Sequence, residues 1–523
     1  MGAFKGLLNA WDVDLDGKKE VFAGCWDYID SQGIIVAEKS SLGGLFNETD
    51  VEIVDSFANV NGYFQNGPSI GELYDDGEIY VISSTYNDTN GTTNGVYCHT
   101  IKDENGDGKP DLHWKHESDS INAPRSPIIA DLDGDDINEV IVPSRSYVTI
   151  FNADGTIRKV INCAPSYRHI AVASIIPNSI EKQLIIPNGN KLSFFNKEGE
   201  QLTDYSVTLT KKVSTPVVCD YLCNGGYDII VGDIVSSDSV HIYVIDFSSG
   251  EPAKIKLFSN TFKDSGRKDA AIAVCDLNND DALELVSMGE HQLIIYDYDN
   301  PNNLITKELV SRTTYEGTPI IADVDGDNFA DVIYQSCEGI NSNIMAIDRF
   351  GNNIPISRQL YNTVNDGLMA EDIDGDGFTE IVAGTEMARY YVWETKGNAD
   401  YIEWGSARGN AQNTGEYGLV NYPQLVRTTT VISSDYDFEH DIYIVGGQLD
   451  ITGNLTFPSH RKIVVWENGT LNINGATLNN ARIVVKPGGK VNITNGATIN
   501  LRDTKSLVVP KGARLNISQG VIK

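Results

Sequence analysis

The chain has 523 residues, and 73 acidic side chains against 40 basic ones give it a formal net charge of −33. An acidic field of this size repels phosphate backbones and anionic lipids, so it disfavours nucleic acid as a partner and favours a cation. No run of about 20 apolar residues is present, which excludes a transmembrane helix. The seven cysteines are scattered, unlike those of a small disulfide-stapled fold, and we expect them to be buried thiols.

A unit made of an apolar run, an acidic loop and a second apolar run recurs eight times between residue 3 and about residue 404. Its clearest copies begin at Ser126, Thr318 and Gly367, the first reading SPIIADLDGDDINEVIVPS. The interval between copies is close to the ~40–50-residue period of propeller blades. The first loop position in successive units is Asp12, Glu72, Asp131, Ser174, Asp220, Asp276, Asp323 and Asp372.

Each unit continues with a second pair of β-rich runs joined by a turn that contains glycine, as between Tyr147 and Ile161. Runs of this kind predict four antiparallel strands per unit, and no helical periodicity extends over ten residues. We therefore predict an all-β fold, an eight-bladed β-propeller with seven blades as the alternative. Cys219 and Cys275 would lie in equivalent innermost strands and remain unbridged.

Six loops share the spacing acid-x-[Asp/Asn]-x-Asp-x-x-x-[Asp/Glu]. Side-chain oxygens at positions one, three, five and nine can converge on one point together with the carbonyl oxygen of position seven. An all-oxygen set suits Ca²⁺, which tolerates a flexible loop, better than Mg²⁺, which demands octahedral geometry. Two carboxylates held ~4 Å apart repel each other by about 4 kcal/mol at an effective dielectric constant of 20, so these loops call for a cation.

The six loops predict about six calcium sites on β-hairpins. Ordinary acidic turns are an alternative for any single copy, but not for six copies of one spacing. An EF-hand needs an acid at position twelve and a following helix, whereas position twelve here is Ala23, Val142, Tyr334 or Ala383. Tight turning would be eased by glycine at Gly17, Gly108, Gly134, Gly326 and Gly375. The predicted ligands are Asp12, Asp14, Asp16, Lys18, Glu20, Asp103, Asn105, Asp107, Lys109, Asp111, Asp131, Asp133, Asp135, Ile137, Glu139, Asp276, Asn278, Asp280, Ala282, Glu284, Asp323, Asp325, Asp327, Phe329, Asp331, Asp372, Asp374, Asp376, Phe378 and Glu380.

Three units have lost part of this pattern. The unit at Ser174 has no acid near its start, and the unit at Glu72 is interpreted as shortened to ELYDDGEI. The unit at Asp220 keeps only Asn224 and Asp228 as further ligands, so we expect low occupancy there. The loop that begins at Asp103 differs from the other five because it belongs to the outer hairpin of the second unit.

The loop pattern resembles the FG-GAP/VCBS repeat propeller, which is related to the head of the integrin alpha chain and whose hairpin loops hold Ca²⁺. The resemblance covers residues 3 to about 404. The segment from Trp404 to Tyr417 is similar to the tail that often closes bacterial propellers of this kind, and we assign it a latching role. Nothing corresponds to an integrin inserted domain, so integrin ligand recognition is not carried over.

The composition changes after Tyr422, which gives two domains, 3–422 and 423–523. In the second domain Leu449, Leu471, Val491 and Leu515 occupy the same slot of a repeat about twenty residues long. Alternation of apolar residues with Asn and Thr favours a β-solenoid, with a β-sandwich as the alternative. Because the last rung has no polar cap and no basic, apolar leader opens the chain, we expect a mature fragment of a longer secreted or surface protein.

For function, we favour a non-catalytic, calcium-stabilised binding or adhesion module of the cell exterior that recognises a glycan or a protein and is monomeric. No nucleophile-elbow, zinc-protease, Walker or dinucleotide motif occurs. The alternatives are a polysaccharide lyase or other carbohydrate-active enzyme built on a calcium propeller, and a structural spacer of a larger surface protein. The aromatic inserts of the first two units are the candidate ligand surface, with Tyr28, Tyr63, Phe64, Tyr86 and Tyr97.

Overall fold

The fold is seen in a computed structural model of the 523-residue chain. It forms two compact units, one of residues Met1–Val13, Lys18–Leu73 and Ile79–Leu419, the other of Asp14–Gly17, Tyr74–Glu78 and Val420–Lys523. The structure describes residues 3–26, 34–39, 51–57, 64, 67–86, 94–106, 110–118, 121–165, 167–176, 179, 181–236, 239–260, 271–289, 292–301, 304–309, 317–338, 341–360, 367–385, 390–417, 423–433, 436, 438, 440–458, 461–503 and 506–523.

The first half of the first unit consists of antiparallel sheets whose strands follow one another in chain order. The first sheet contains β1 Ala3–Trp11, β2 Glu20–Trp26, β3 Ile34–Lys39 and β4 Val51–Phe57. The second contains β5 Ser69–Glu72, β6 Ile79–Ser84, β7 Gly95–Thr100 and β8 Leu112–Glu117. The third contains β9 Ile128–Ala130, β10 Glu139–Pro143, β11 Val148–Phe151 and β12 Ile157–Ile161. The fourth contains β13 Ala171–Ala173, β14 Gln183–Asn188, β15 Lys191–Phe195 and β16 Val207–Thr208.

The same order continues through the second half of this unit. The fifth sheet contains β17 Lys212–Val213, β18 Val217–Cys219, β19 Asp228–Ser236, β20 Ser239–Asp246 and β21 Ala253–Asn260. It departs from strict chain order because β17 and β18 both pair with β19. The sixth contains β22 Ala271–Cys275, β23 Glu284–Met288, β24 Gln292–Asp297 and β25 Ile305–Glu308. The seventh contains β26 Ile320–Ala322, β27 Asp331–Glu338, β28 Asn341–Ile347 and β29 Asn353–Leu360. The eighth contains β30 Leu368–Glu371, β31 Phe378–Gly384 and β32 Tyr390–Asn398, and β33 Ile402–Trp404 then returns to pair with β26.

Burial decreases from the first strand of a sheet to its last. In the third sheet every residue of β9 and β10 is buried, whereas most of β12 is exposed. Inner strands covered on both faces can use aliphatic and small residues throughout, and the outermost strand carries the polar ones. The first sheet also packs on the last, since Leu8 and Ala10 share a hydrophobic cluster with Met369 and Val382. The sheets therefore close on themselves as the blades of a propeller do.

These observations confirm the all-β propeller class. Of the residues that the structure describes, none lies in an α-helix, so none belongs to a helix that could cross a membrane. Short 3₁₀ turns occur at Thr203–Tyr205 and Ala399–Tyr401. Eight sheets are the count for the described part of the first unit, and eight blades in one ring stays a prediction. Cys219 and Cys275 are free thiols, buried in the equivalent strands β18 and β22 as predicted, whereas Cys223 is exposed.

The tail from residue 401 to residue 417 runs along the innermost strands of the sheets. Its backbone carbonyl oxygens accept hydrogen bonds from β5, β9, β13, β18 and β30 in turn, at 2.8–3.2 Å. These bonds join Ile70 to Ala411, Ile129 to Gln412, Val172 to Thr414, Val218 to Gly415 and Ala370 to Gly405. One short segment thus ties inner strands of five different sheets together, which is the role expected of a latch.

Two buried side chains anchor this tail. Trp404 is fully buried, and its backbone pairs with Ile321 of β26. Arg408 is 2% exposed, and its guanidinium donates to the carbonyl oxygens of Pro216 at 3.3 Å and Ile170 at 3.0 Å. A buried guanidinium is tolerated only when such acceptors are supplied.

Most of the second unit is a stack of short parallel strands. Its strands are β34 Gln424–Val426, β35 Thr429–Ile432, β36 Ile442–Ile444, β37 Gln448–Ile451, β38 Leu455–Thr456, β39 Ile463–Val465, β40 Thr470–Asn474, β41 Thr477–Ala481, β42 Ile483–Val485, β43 Lys490–Thr494, β44 Thr498–Leu501, β45 Leu507–Val508, β46 Arg514–Ser518 and β47 Val521–Ile522. They form three parallel sheets. Parallel pairing of successive rungs is the mark of a solenoid and excludes the predicted alternative of a sandwich.

The predicted solenoid register is confirmed. Leu449 pairs with Leu471, Leu471 with Val491, and Val491 with Leu515. On the other face of the same strands the side-chain amide of Asn472 donates to Asp450, and that of Asn492 donates to Asn472 at 2.7 Å. The inner positions therefore build the core, and the outer positions form a ladder of hydrogen bonds.

The latch can be tested by replacing Arg408 with methionine, which keeps the volume but removes the donors. Because two buried carbonyl oxygens would lose their partners, we expect a loss of about 2–4 kcal/mol in the free energy of unfolding. Denaturant unfolding followed by tryptophan fluorescence measures this loss. Lys256→Met, at an exposed position of β21, is the control, and equal stability of the two variants would contradict the latch.

Candidate metal centres

Four hairpin loops bring three carboxylates together. In each of them, one oxygen from positions one, three and nine lies within 4.8 Å of the other two. The groups are Asp12, Asp14 and Glu20; Asp131, Asp133 and Glu139; Asp323, Asp325 and Asp331; and Asp372, Asp374 and Glu380. The position-five acids Asp16, Asp135 and Asp327 do not belong to these groups. Three of the four predicted side-chain ligands therefore converge before any cation is present.

The position-nine acid closes each hairpin. It lies at or near the start of the second strand of the hairpin and accepts the backbone N–H of position two, beyond the first strand. The distance is 3.0 Å from Leu132 to Glu139 and 3.0 Å from Val324 to Asp331. The same bond joins Val13 to Glu20, Leu277 to Glu284, Ile373 to Glu380, and Glu104 to Asp111, at 2.7–2.9 Å.

The position-one acid holds the loop itself. Asp323 Oδ1 accepts the N–H of Gly326 at 2.8 Å, and its Oδ2 accepts that of Asn328 at 3.2 Å. The position-five acid Asp327 accepts the N–H of Phe329, the residue of position seven, at 3.0 Å. Because the N–H of Phe329 is bonded back into the loop, the acids orient the backbone as well as offering ligand oxygens.

Positions four and six of the loops share a left-handed backbone. Position four has φ of 77° at Gly134 and 85° at Gly326, and the glycines there were part of the sequence prediction. At position six the sequence prediction named Gly17 but missed Asp136, Asp281 and Asn328, which have φ of 63–68°. Asn and Asp tolerate this region better than other non-glycine residues, which is the signal that could have revealed it.

Two loops that were set aside keep this backbone. In the Asp220 loop, Cys223 and Gly225 have φ of 50° and 79° at positions four and six. In the Glu72 loop, Asp75 and Gly77 have φ of 47° and 81° at the same positions. The prediction of a shortened loop at Glu72 is therefore wrong. The loop has full length, and what it lacks is an acid at positions three and nine, now Tyr74 and Tyr80.

The unit at Ser174 shows how a hairpin closes without acids. The amide oxygen of Gln183 accepts the N–H of Ile175 at 2.9 Å, the bond that a carboxylate makes in the other loops. A neutral amide therefore replaces the position-nine acid. This hairpin has the hydrogen bond that closes the turn but not the negative charge that would attract a cation.

Among the described residues, two predicted sites do not bring three carboxylates together. Asn278 turns its amide nitrogen toward Glu284, donating to Oε1 at 2.8 Å, and Asn105 donates to Asp111 in the same way. An amide nitrogen in that orientation occupies the space between positions three and nine. In the second of these loops Asp107, Gly108 and Lys109 lie outside the described residues.

The sequence-based prediction did not include one acid that lies at a candidate site. Glu394 of β32 offers an oxygen within 4.8 Å of Asp374 and Asp376, because β32 pairs with β31 and places Glu394 opposite Glu380. The sequence carries no signal for this beyond an acid on the third strand. The position-five acid Asp376 thus joins a group of its own with a residue from a neighbouring strand.

Burial and mutual repulsion oppose ionisation of three of the position-nine acids. Burial chiefly, with the neighbouring carboxylates Asp323, Asp325 and Asp327, raises the pKa of Asp331 to about 8. Burial likewise raises the pKa of Glu139 and that of Glu284 to about 7. These groups take up protons in the absence of a cation, which is the expected behaviour of a crowded anionic site.

The proposed aromatic ligand surface is not supported. Phe64, Tyr86 and Tyr97 are all buried, at 0%, 7% and 2% exposure. Tyr97 stacks edge-on against Phe64, so these rings pack the sheet interior. Tyr28 and Tyr63 lie outside the described residues. Aromatic residues in β-rich inserts can either pack in the core or form a binding surface, and the sequence alone does not distinguish these two roles.

A cavity of about 550 Å³ lies beside the Asp276 loop, between the sixth and seventh sheets. Its lining combines the apolar side chains of Ile295 and Ile305 with carboxylates of Glu284 and Asp297, and with Arg349 and Phe350. Phe350 is 65% exposed, and the Arg349 guanidinium carbon lies 4.7 Å from the centre of its ring. The cavity thus offers an accessible aromatic face next to charged hydrogen-bonding groups.

The raised pKa values predict how the metal-free protein responds to pH. An acid whose pKa is higher in the folded state than in the unfolded state stabilises the fold at pH values below the unfolded-state pKa. This stabilisation is lost as the pH rises from the unfolded-state pKa to the folded-state pKa. In chelator we therefore expect the melting temperature to fall between about pH 5 and pH 8. Asp331→Asn, which cannot ionise, should show a smaller fall, and a melting temperature that rises with pH in chelator would contradict this.

Comparison with solved structures finds low-identity likenesses. The chain is similar to Saccharomyces cerevisiae Sqt1, with a TM-score of 0.48 and 11% identity over 75% of this chain and 96% of that one. It is similar to the Vibrio cholerae biofilm matrix protein Bap1, with a TM-score of 0.35 and 12% identity over 79% and 93% of the two chains. An Agrocybe aegerita lectin for non-reducing terminal N-acetylglucosamine gives a TM-score of 0.39 and 12% identity over 75% and 99%.

Comparison with curated proteins finds no match. The family model for the FG-GAP-like repeat, in contrast, matches residues 276–334. The match begins at Asp276, the first ligand position of one hairpin loop, and includes the whole of the next loop, 323–331. The chain therefore carries an FG-GAP-like repeat, set in an all-β propeller fold that is followed by a β-solenoid of about four turns.

Proposed function

We propose that the protein is a non-catalytic, calcium-stabilised binding module of the cell exterior. The observation that carries the proposal is the convergence of carboxylates from positions one, three and nine in four hairpin loops. A site repeated on four different sheets serves the fold at each of them, whereas a catalytic centre would be built once. The FG-GAP-like repeat at 276–334 supports the same interpretation.

The donor set fits calcium. The described groups offer oxygen ligands only, with no imidazole or thiolate among them, and such sets suit Ca²⁺. Asp133 Oδ1 is buried and has no hydrogen-bond partner among the described residues, as expected of an oxygen left for a cation. Calcium would be held in each loop by positions one, three, five and nine and the carbonyl oxygen of position seven. It would neutralise carboxylates that otherwise repel one another.

The calcium sites favour a location outside the cytosol. Affinities of extracellular calcium modules lie at roughly 10⁻⁴–10⁻³ M, which requires a calcium-rich environment. The net charge of −33 keeps the protein soluble there and away from anionic surfaces. The side chains of position seven have no part in such sites, and Ile137 and Phe378 accordingly extend into solvent.

The ligand of the module is proposed to be a glycan or a protein surface, bound at the cavity beside Phe350. An exposed ring can stack on the apolar face of a sugar or on a planar side chain. Asp297, Glu284 and Arg349 add hydrogen-bonding groups of both signs around it. Mostly apolar lining with a few converging polar groups is the usual composition of a ligand site.

Removal of calcium tests the stabilising role. We expect chelator to lower the melting temperature substantially, because repulsion within the loops is then no longer neutralised, and millimolar calcium to restore it. Asp323→Asn should weaken the response to calcium, since Asp323 is both a ligand and the acceptor of four backbone N–H groups. Differential scanning calorimetry with and without calcium measures both effects.

The matched control for this variant is Glu181→Gln. Glu181 lies in the hairpin at Ser174, which has no acid at the ligand positions, and is paired with Lys197 at 2.8 Å on the surface. Its replacement should leave the calcium response unchanged. A wild-type melting temperature that is equal in chelator and in calcium would refute the proposed sites.

A glycan array tests the ligand site. We expect the calcium-loaded protein to retain a defined set of immobilised glycans, and Phe350→Ala to weaken that binding about tenfold or more, in line with the loss of a stacking ring. Leu112→Ala, a truncation of another exposed apolar side chain on the second sheet, should have no effect. In a separate lyase assay, release of unsaturated sugars from polysaccharide would favour the lyase alternative. The absence of both glycan binding on the array and sugar release in the lyase assay would favour the structural spacer.

A further inference from the structure

One of the four carboxylate groups already contains a positive charge. Arg158 of β12 extends over the loop of residues 131–139, and its guanidinium reaches two of the three acids there. One terminal nitrogen lies 3.2 Å from Asp133 Oδ2, and the other lies 2.8 Å from Glu139 Oε1. Its Nε donates to Asn152 Oδ1 at 2.8 Å. All three guanidinium nitrogens therefore have an acceptor, and these contacts fix the position of the side chain.

A β-bulge places Arg158 over the loop. Phe151 of β11 pairs with Ile157, whereas its neighbour Ile150 pairs with Lys159, so Arg158 is an extra residue in β12. An extra residue of this kind bends the strand and redirects its side chain. The backbone geometry of the third sheet therefore directs the Arg158 side chain to the loop, which distinguishes it from a mobile surface arginine.

The loop of residues 323–331 lacks such a residue. The third residue after the turn glycine is Arg158 in the third sheet, after Gly155, but Ile354 in the seventh, after Gly351. Ile354 is buried in the hydrophobic core. Of the residues that the structure describes, no lysine or arginine is within 4.0 Å of the carboxylates of Asp323, Asp325 and Asp331, the only nearby pair being Arg349 with Asp327.

We propose that the Arg158 guanidinium is the resident counter-ion of loop 131–139, so that calcium enters this loop only by displacing it and binds there more weakly than at loop 323–331. The proposal rests on the calcium-binding function above. The guanidinium stands between positions three and nine, where a bound cation would bridge the same two acids. The planar fork matches carboxylates at both ends and donates charge-assisted hydrogen bonds. Calcium must break both bonds before it reaches Asp133 and Glu139.

The consequence is that the two loops differ in what neutralises their carboxylates and keeps their shape. Loop 131–139 keeps its shape and a neutralised charge without metal, whereas loop 323–331 depends on the cation. At calcium concentrations that fill the stronger sites, the third sheet would remain closed by arginine. The number of bound ions is then smaller than the number of loops with the ligand spacing.

Calcium titration of the full chain tests this. By isothermal titration calorimetry, Arg158→Gln should gain one site in the measurable range or tighten one site by about tenfold, because the competitor is removed. Arg158→Lys should fall between the wild type and Arg158→Gln, since one ammonium cannot span both acids. Lys159→Gln, at the next and exposed position of β12, is the control and should leave every site unchanged.

The outcomes separate this proposal from the one it rests on. Equal stoichiometry and affinity in Arg158→Gln and the wild type would overturn the role of Arg158, and loss of a site in Arg158→Gln would show that arginine supports the metal. If Arg158→Gln does not fold, the decision falls to Arg158→Lys, whose affinities must differ from those of the wild type. Absence of binding in the wild type and in Asp323→Asn alike would instead refute the calcium function itself.

Discussion

Hydrogen bonding of backbone N–H groups to acids at the mouths of the hairpins is the constraint on which the rest of the first unit depends. The acid of position nine starts the second strand of a sheet and accepts the N–H that follows the first strand, as Glu139 does for Leu132. Each such bond fixes a hairpin, yet it also brings carboxylates within reach of one another. The same residues that build the turn therefore create a charge that the fold must neutralise.

Neutralisation takes several forms within one chain. In the Ser174 unit the amide of Gln183 replaces the acid, and in the Asp276 loop Asn278 donates its amide to Glu284. In loop 131–139 an arginine supplies the charge. Loop 323–331 has none of these within its group of three acids, and burial raises the pKa of Asp331 to about 8. This loop therefore has a greater physical need for a cation than those three hairpins.

The tail supplies the second level of organisation. Hairpins fix single sheets, but the bonds from residues 401–417 to inner strands join sheets that are far apart in sequence. Arg408 and Trp404 anchor this segment because their side chains are buried in the first unit. Local loops and one long-range segment together explain how short strands of two to nine residues make a closed unit.

The sequence revealed what is periodic. Loop positions one, three and nine, the innermost strands and the solenoid slot of Leu449 and Leu471 all recur. The structure pairs Leu449 with Leu471 as predicted, and in four of the six loops it brings the acids of positions one, three and nine together. What depends on a single event was not foreseeable: the bulge that aims Arg158, the strand pairing that brings Glu394 to Asp374, and the amide orientation of Asn278. Burial of Tyr97 was missed because the composition of an insert does not determine which side of a sheet its rings occupy.

The central claim is that the hairpin loops are built around a cation, and a crystal structure grown in millimolar calcium tests it most directly. The account predicts a calcium ion bound by Asp323, Asp325, Asp327, Asp331 and the carbonyl oxygen of Phe329. It also predicts no ion in the hairpin at Ser174. Water or an empty space at loop 323–331 under these conditions, with the carboxylates in their present positions, would contradict it.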